Sequence, residues 1–196
     1  MRYELLGVES LYQGFFALNR YCLRFERFAG GFSPEINREI FERGHAVAVL
    51  PFNVTRQEVV LIEQFRPGAL EAPGGPWLTE IVAGMIEPNE TVESVARREM
   101  QEEAGLMPLR LIPMTRYWVS PGGTTESIYL FLGLIDQMPM DEFFGLPEEH
   151  EDIKLHSMSL DEALARVDAG SICSAAPIIA LQWLDRHKAQ FRDVAS

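Results

Sequence analysis

The sequence has few of the features that mark secreted or membrane-spanning proteins. It contains only two cysteines, Cys22 and Cys173, far apart in the chain, and its first residues show no apolar core of a signal peptide. No apolar run approaches the roughly 18 residues that a transmembrane helix needs, so the sequence excludes one. We therefore expect a cytoplasmic protein with reduced thiols and no membrane partner.

Basic residues are also scarce. The chain has 17 Lys and Arg against 29 Asp and Glu, a net charge of −12. Nucleic-acid binding requires clustered cations that contact phosphates, so a nucleic-acid partner is not expected. If the substrate is itself an anion, a cationic group has to lie between it and this protein, and a divalent metal ion is the first candidate.

The chain of 196 residues is long enough to form one domain with an appendage, at about 150 residues per domain. Its 47% hydrophobic and 23% charged residues are typical of globular proteins. We divide it into residues 1–45, a small β appendage, and residues 46–196, the main domain. The appendage has strand-like segments at 3–12 and 21–28 and a glycine turn at 29–33, which predict an antiparallel hairpin or small sheet, whereas 35–44 is polar and mixed.

The main domain alternates strands with a few helices. The patterns predict a hairpin at 45–52 and 58–65, strands at 77–86, 109–120, 126–135 and 153–159, and helices at 89–104, 161–170 and 175–191. Asn89 is the predicted N-cap of the first helix and Gly105 lies just beyond its end. This order of elements favours an α+β fold or an α/β sandwich over a doubly wound parallel sheet.

The first of these helices carries carboxylates on its apolar side. At about 100° per residue, Glu99 and Glu103 point about 20° to either side of Val92. They continue the apolar stripe of Val95 and Ala96, so both are predicted to face the core.

Inward carboxylates need a positive partner. Each costs several kcal/mol to bury unpaired, and two at i, i+4 repel each other. Mg²⁺ binds carboxylates together with substrate phosphates, so the spacing predicts a Mg²⁺ or Mn²⁺ site at Glu99 and Glu103. Glu102 lies on the flank of the stripe, where a solvated charged face is an equally good interpretation.

The same segment has a longer fixed pattern. Gly84 is followed after five residues by Glu90, after seven more by Arg98-Glu99-Met100, and then, each time after one residue, by Glu102-Glu103 and Gly105-Leu106. At every fixed position this resembles the Nudix box, GX5EX7REUXEEXGU, where U is apolar. The resemblance implies an α+β fold, the Nudix α/β/α sandwich with mixed sheets, and hydrolysis of a nucleoside diphosphate linked to another group.

The resemblance also implies roles for these residues. Glu99, Glu103 and the Ala83 carbonyl would be ligands of two or three Mg²⁺ (or Mn²⁺) ions, and Glu102 would support catalysis or contact a metal. Glu90 and Arg98 would form an ion pair within the box, Gly84 would allow close passage of the backbone, and Gly105 would complete the loop–helix–loop.

Nearly the whole chain resembles the bacterial ADP-ribose diphosphatase group within this family. The segments LYQGFFALNRY, VLIEQFR, SPGGTTE and GLPEEHEDIKLH carry the likeness, and Pro121 lies fifteen residues beyond Leu106, as in that group. The resemblance implies hydrolysis of ADP-ribose, a small-molecule nucleotide sugar, and a homodimer that exchanges its N-terminal sheets. A departure is the loop 67–76, which is rich in Pro and Gly and bears on the preference for the terminal ribose.

Further roles follow by position. Glu149 would be the general base and Glu151 a metal ligand. Arg38 and Arg66 would contact phosphate and ribose, Pro121 would contact the substrate, and Phe15 would stack on adenine. Structural explanations exist for each, namely a solvated acidic loop, surface ion pairs and core packing.

Three other functions fit parts of the sequence. A Nudix hydrolase of GDP-mannose, ADP-glucose or NADH would use the same metal core. A non-catalytic module that binds ADP-ribose would not need so many costly carboxylates. A structural dimerisation protein would explain residues 1–45 but not the inward glutamates.

Overall fold

The computed structural model describes residues 1–146 and 150–191, and within them it contains eleven strands and three α-helices. The strands are β1 (Tyr3–Gln13), β2 (Ala17–Phe25), β3 (Ile36–Glu42), β4 (Ala46–Asn53), β5 (Glu58–Phe65), β6 (Trp77–Glu80), β7 (Val82–Met85), β8 (Arg110–Trp118), β9 (Ser127–Ile135), β10 (Phe143–Phe144) and β11 (Ile153–Ser159). The helices are α1 (Val92–Ala104), α2 (Leu160–Asp168) and α3 (Ala175–His187), with short 3-10 turns at Pro67–Ala69 and Lys188–Phe191.

The chain forms two compact units. One consists of residues 1–45 and 117–128, and the other of residues 46–116 and the described part of 129–196. The division at residue 45 that the sequence indicates does not include the second segment of the N-terminal unit.

The N-terminal unit is built on an antiparallel sheet in the order β1-β2-β3. Its third strand lies in the segment 35–44, to which the sequence assigned no element because of its mixed charges. Those charges pair across the sheet: Arg20 on β2 faces Glu9 on β1 and Glu39 on β3 in register. The predicted glycine turn joins β2 to β3, and Gly30 and Gly31 have φ of 90° and 70°.

The larger sheet has the order β10-β11-β5-β4-β9-β8 among the described residues. The predicted hairpin of β4 and β5 is confirmed, with Phe52 opposite Val59. The predicted strand 77–86 is wrong as one element, because it divides at Ile81. Its first half pairs with β5 and its second half with β4, where Ala83 lies opposite Ala48.

Helices cover both faces of this sheet. Val47 and Val49 of β4 belong to the core cluster that contains Val95 and Met100 of α1. Successive strand residues point to opposite faces, so Phe52 lies on the other face, where its ring is 6.4 Å from that of Phe191 after α3. The arrangement is the predicted α/β/α sandwich. No helix among the described residues has the length and apolar character needed to cross a membrane.

Candidate active site

The helix α1 has well-defined ends. Thr91 is its N-cap: the Thr91 side chain accepts a hydrogen bond from the Ser94 backbone, and the Ser94 side chain accepts one from the Thr91 backbone. The predicted cap at Asn89 is wrong, because Asn89 has φ of 76° and an N-cap needs extended backbone. At the other end Gly105 has φ of 63°, and its N–H donates to Gln101, as predicted for a residue that follows the helix.

Glu99 and Glu103 point inward from α1, as the helical spacing predicts. They are 9% and 2% exposed and lie among the apolar residues of the same helix. Burial raises the pKa of Glu99 to about 7 and raises the pKa of Glu103 well above its ordinary value. The Ala83 N–H donates to Glu103 Oε2 at 2.9 Å, which partly offsets this effect by favouring the ionised form.

Arg98 ties three carboxylates of the segment together. Its Nε donates to Glu90 Oε1 at 3.0 Å, which is the predicted ion pair. Its Nη1 donates to Glu99 Oε1 at 2.7 Å and to Glu102 Oε2 at 2.9 Å. Glu99 and Glu102 therefore share one nitrogen of Arg98, and the negative charge of Glu102 raises the pKa of Glu99.

Gly84 provides space rather than unusual backbone. Its φ is not positive, but a Cβ atom at this position would overlap the carboxyl group of Glu99 and lie 2.6 Å from its Cγ. Close approach of the strand β7 to the helix α1 is thus what requires glycine here.

A third carboxylate acts on the buried pair. The negative charge of Glu151 raises the pKa of both Glu99 and Glu103, while its Oε2 accepts a hydrogen bond from the Leu146 N–H at 3.5 Å. The predicted base Glu149 lies outside the described residues.

The donor chemistry fits a hard divalent cation. Two adjacent buried glutamates, with a third nearby, are oxygen ligands that a cation would stabilise in the ionised form. Among residues 1–146 and 150–191, no three acidic, His or Cys side chains already form a metal-binding group. The N–H of Ala83 contacts Glu103, and the role of the Ala83 carbonyl as a ligand stays a prediction.

Arg66 lies in the same unit, directly after β5. Its Nε donates to Glu80 Oε2 at 2.6 Å, and the Ser174 hydroxyl donates to Glu80 Oε1 at 2.9 Å. The positive charge of Arg66 lowers the pKa of Glu103, against the larger effect of burial. Glu80 and Ser174 were not predicted from the sequence; the only signal for Glu80 is a charge within a mostly apolar segment.

The N-terminal unit contains a separate cavity of about 400 Å³. Arg38 and Pro121, both predicted substrate contacts, line it together with Tyr21 and Trp118. Tyr21 and Trp118 were not predicted from the sequence. Phe15 does not line this cavity: it is 88% exposed, with its ring 4.7 Å from that of Phe16.

The walls of this cavity are held by a shared carboxylate. Glu42 on β3 accepts a 2.5 Å hydrogen bond from the Tyr21 hydroxyl and a second, short one from the Thr125 hydroxyl. Tyr21 and Arg38 lie opposite each other in the β2–β3 register. The hydrogen bond to Glu42 raises the pKa of Tyr21, which keeps this phenol a donor.

The model of the NUDIX domain matches residues 42–175. The chain is 49% identical to the ADP-ribose pyrophosphatase of Escherichia coli (strain K12), an alignment that covers 94% of this chain and 88% of that protein. It is 41% identical to the ADP-ribose pyrophosphatase of Haemophilus influenzae, over 96% and 88% of the two chains.

Two further similarities are more distant. The GDP-mannose pyrophosphatase of Yersinia pestis is 32% identical, over 95% of this chain and 93% of that protein. A crystal structure of an ADP compounds hydrolase has the same fold, with a TM-score of 0.74, 20% sequence identity, and coverage of 98% of this chain and 97% of the other.

Proposed function

The chain belongs to the Nudix family of hydrolases, and from this premise we propose that it hydrolyses the diphosphate of ADP-ribose to AMP and ribose 5-phosphate. The choice of ADP-ribose as substrate rests on the 49% identity to the Escherichia coli ADP-ribose pyrophosphatase over 94% of the chain. The buried pair Glu99 and Glu103 supports catalysis over simple binding, because a binding module has no need for two carboxylates that are costly to bury.

Nudix hydrolases generally need divalent metal ions, and we propose two or three Mg²⁺, or Mn²⁺ in their place. Glu99, Glu103, Glu151 and the Ala83 carbonyl would hold them. When bound, such ions supply positive charge at the diphosphate oxygens and make water more acidic. This would also let a dianionic substrate approach a protein with a net charge of −12.

Residues of the chain are proposed to accept the proton of the attacking water and to position the diphosphate. Water attacks one phosphorus, the bridging P–O bond breaks, and the bridging oxygen leaves with the other phosphate. Glu149 is the proposed acceptor of the water proton. Glu102, held by Arg98, is proposed to support the metal site, and Arg66 to contact the diphosphate through its planar donors.

Arg38, Pro121 and Phe15 are proposed as contacts of the nucleoside part. Arg38 and Pro121 share one cavity with an aromatic wall, which has the size and chemistry expected for a base or ribose.

We further propose that the chain is a cytoplasmic homodimer that exchanges its N-terminal sheets. Apolar side chains of β1 are exposed in the single chain, among them Tyr3 (76%) and Tyr12 (64%). Such exposure is typical of a surface that another subunit covers. Free thiols such as Cys22 and Cys173 stay reduced in the cytoplasm. Equilibrium sedimentation should give twice the mass of one chain; a monomer at micromolar concentration would contradict the dimer.

The substrate is tested with a panel of ADP-ribose, ADP-glucose, GDP-mannose, NADH and diadenosine polyphosphates, with Mg²⁺ and then with EDTA. AMP or GMP is measured as product. We expect ADP-ribose to have the highest kcat/KM and EDTA to abolish turnover.

GDP-mannose is the second candidate because of the 32% identical relative from Yersinia pestis. Preferred cleavage of GDP-mannose would retain the catalytic proposal and reject the substrate. Binding of ADP-ribose without any turnover would reject catalysis.

A further inference from the structure

A loop contact holds the backbone of Arg66, whereas its side chain needs a partner to hold it in one conformation. Its N–H donates to the Pro76 carbonyl at 2.7 Å, which closes the base of the loop 67–75. The side chain is 41% exposed. A long, half-exposed arginine samples many rotamers unless a partner selects one.

Glu80 is that partner. Its Oε2 accepts the Nε–H of Arg66 at 2.6 Å, and its Oε1 accepts the hydroxyl of Ser174 at 2.9 Å. The Glu80 side chain is only 17% exposed, so both of its oxygens are used in a sheltered position. Ser174 is the N-cap residue of α3, but its side chain makes no capping hydrogen bond to that helix. Its hydroxyl donates a hydrogen bond to Glu80 instead.

Glu80 contacts the Nε side of the Arg66 guanidinium, which leaves the two terminal nitrogens available to a ligand. The contact is made through Nε, and within residues 1–146 and 150–191 the terminal nitrogens of Arg66 form no hydrogen bond. These nitrogens carry four N–H donors in one plane, which match the oxygens of a diphosphate. Glu80 ends β6, and three residues further along the chain the Ala83 N–H contacts Glu103, so successive strands hold the Arg66 contact and the buried carboxylates.

We propose that Glu80, supported by Ser174, is a positioning residue that holds Arg66 with its terminal nitrogens directed at the diphosphate of the substrate. This inference rests on the proposed function, because it takes a diphosphate as the ligand of Arg66. No catalytic contact is assigned to Glu80 itself.

Positioning and electrostatics predict opposite results when Glu80 is removed. A carboxylate beside Arg66 lowers the local positive potential, so on electrostatic grounds alone its loss would tighten anion binding. If Glu80 orients Arg66, its loss weakens anion binding instead. Glu80→Gln removes the charge and keeps an acceptor for the Nε–H, whereas Glu80→Ala removes both.

The kinetic test compares these two variants and Ser174→Ala with the unsubstituted protein in Mg²⁺. We expect Glu80→Ala to raise KM about tenfold with a smaller change in kcat, and Glu80→Gln and Ser174→Ala to raise KM by less, about threefold or under. A purely structural role would lower the folded fraction, and hence apparent kcat, at unchanged KM. An unchanged or lower KM in Glu80→Ala would overturn the proposal.

A double-mutant cycle with Arg66→Ala tests whether Glu80 affects substrate binding through Arg66. If Glu80 acts through Arg66, then Glu80→Ala adds nothing in the Arg66→Ala background. Multiplicative losses would show an independent role and reject the proposal. Glu63→Gln is the matched control, because Glu63 on β5 also makes a 2.6 Å contact, to His156, and should leave KM unchanged.

Binding of inorganic pyrophosphate, measured by calorimetry, separates this proposal from the choice of substrate. We expect Glu80→Ala and Arg66→Ala to weaken pyrophosphate binding to a similar degree, even if the panel identifies another nucleotide sugar. Pyrophosphate binding as tight in Glu80→Ala as in the unsubstituted protein would reject the positioning role while the proposed function stands.

Discussion

The carboxyl group of Glu99 lies against the Cα atom of Gly84, in the space that a side chain at residue 84 would occupy. The two residues come from different elements, the strand β7 and the helix α1, and belong to the same sequence pattern. The glycine thereby determines how closely a proposed metal ligand approaches the strand. Backbone conformation plays no part, because φ of Gly84 is not positive.

Gly84→Ala should therefore damage activity more than stability. The added methyl group forces Glu99 or β7 to move, which costs about 1–3 kcal/mol of unfolding free energy. A displacement of about 1 Å in a catalytic group can lower kcat about 100-fold. Steady-state turnover of ADP-ribose and urea unfolding measure the two effects. Gly74→Ala is the control, since a Cβ there contacts nothing within 4 Å.

Glu103→Gln should lower kcat by about 100-fold or more with little change in KM, because a glutamine oxygen is a poor ligand for a hard cation. The measurement is the Mg²⁺ dependence of ADP-ribose turnover. Glu93→Gln, an exposed residue in the first turn of the same helix, should remain close to the unsubstituted enzyme. Unchanged turnover in Glu103→Gln would remove this residue from the proposed metal site.

Those features of the candidate site that depend on local contacts could be predicted from the sequence. Glu99 and Glu103 are one helical turn apart, so their common inward direction follows from helix geometry alone. The Glu90–Arg98 pair was predicted because the Nudix resemblance assigned it. The predicted N-cap, Asn89, lies two residues before the observed one, Thr91. Thr91 and Ser94 form a reciprocal pair of capping hydrogen bonds, which the prediction at Asn89 overlooked.

Non-local relationships could not be predicted in the same way. Arg66 and Glu80 are 14 positions apart, and Glu80 and Ser174 are 94 apart. Their contact depends on the division of the segment 77–86 into two strands with different partners. A run of strand-forming residues carries no signal of which neighbour each half joins, because pairing is set by tertiary packing.

Arg38→Ala should raise KM for ADP-ribose about tenfold and change kcat by less than about threefold, because Arg38 is proposed to contact the nucleoside part and not the reacting phosphorus. Initial rates over a range of substrate concentrations give both constants. Arg27→Ala provides the control, since Arg27 is an exposed arginine of the same unit that does not line the cavity. Equal effects in the two variants would indicate general loss of positive charge rather than a specific contact.

The buried glutamates also predict how stability depends on pH in the absence of divalent cations. Burial raises the pKa of Glu99 from 4.5 to about 7, so the folded protein holds this proton more tightly than the unfolded chain. The resulting stability is fully present below pH 4.5 and is lost as the pH rises through about 7. The raised pKa of Glu103 makes stability fall with rising pH in the same way.

In EDTA, urea unfolding of the unsubstituted protein should therefore show a free energy that declines between pH 5.5 and pH 8, by on the order of 2 kcal/mol from Glu99. Glu99→Gln carries no titratable group at this position, so its decline should be smaller, and the difference between the two curves isolates Glu99 from other titrating residues. Excess Mg²⁺ at pH 8 should stabilise the unsubstituted protein more than Glu99→Gln, because a cation binds the ionised carboxylate and only the folded state holds the ligands together. Parallel curves for the two proteins in EDTA would show that Glu99 is ionised at ordinary pH without a metal, and would contradict the argument that a cation is needed to hold it so.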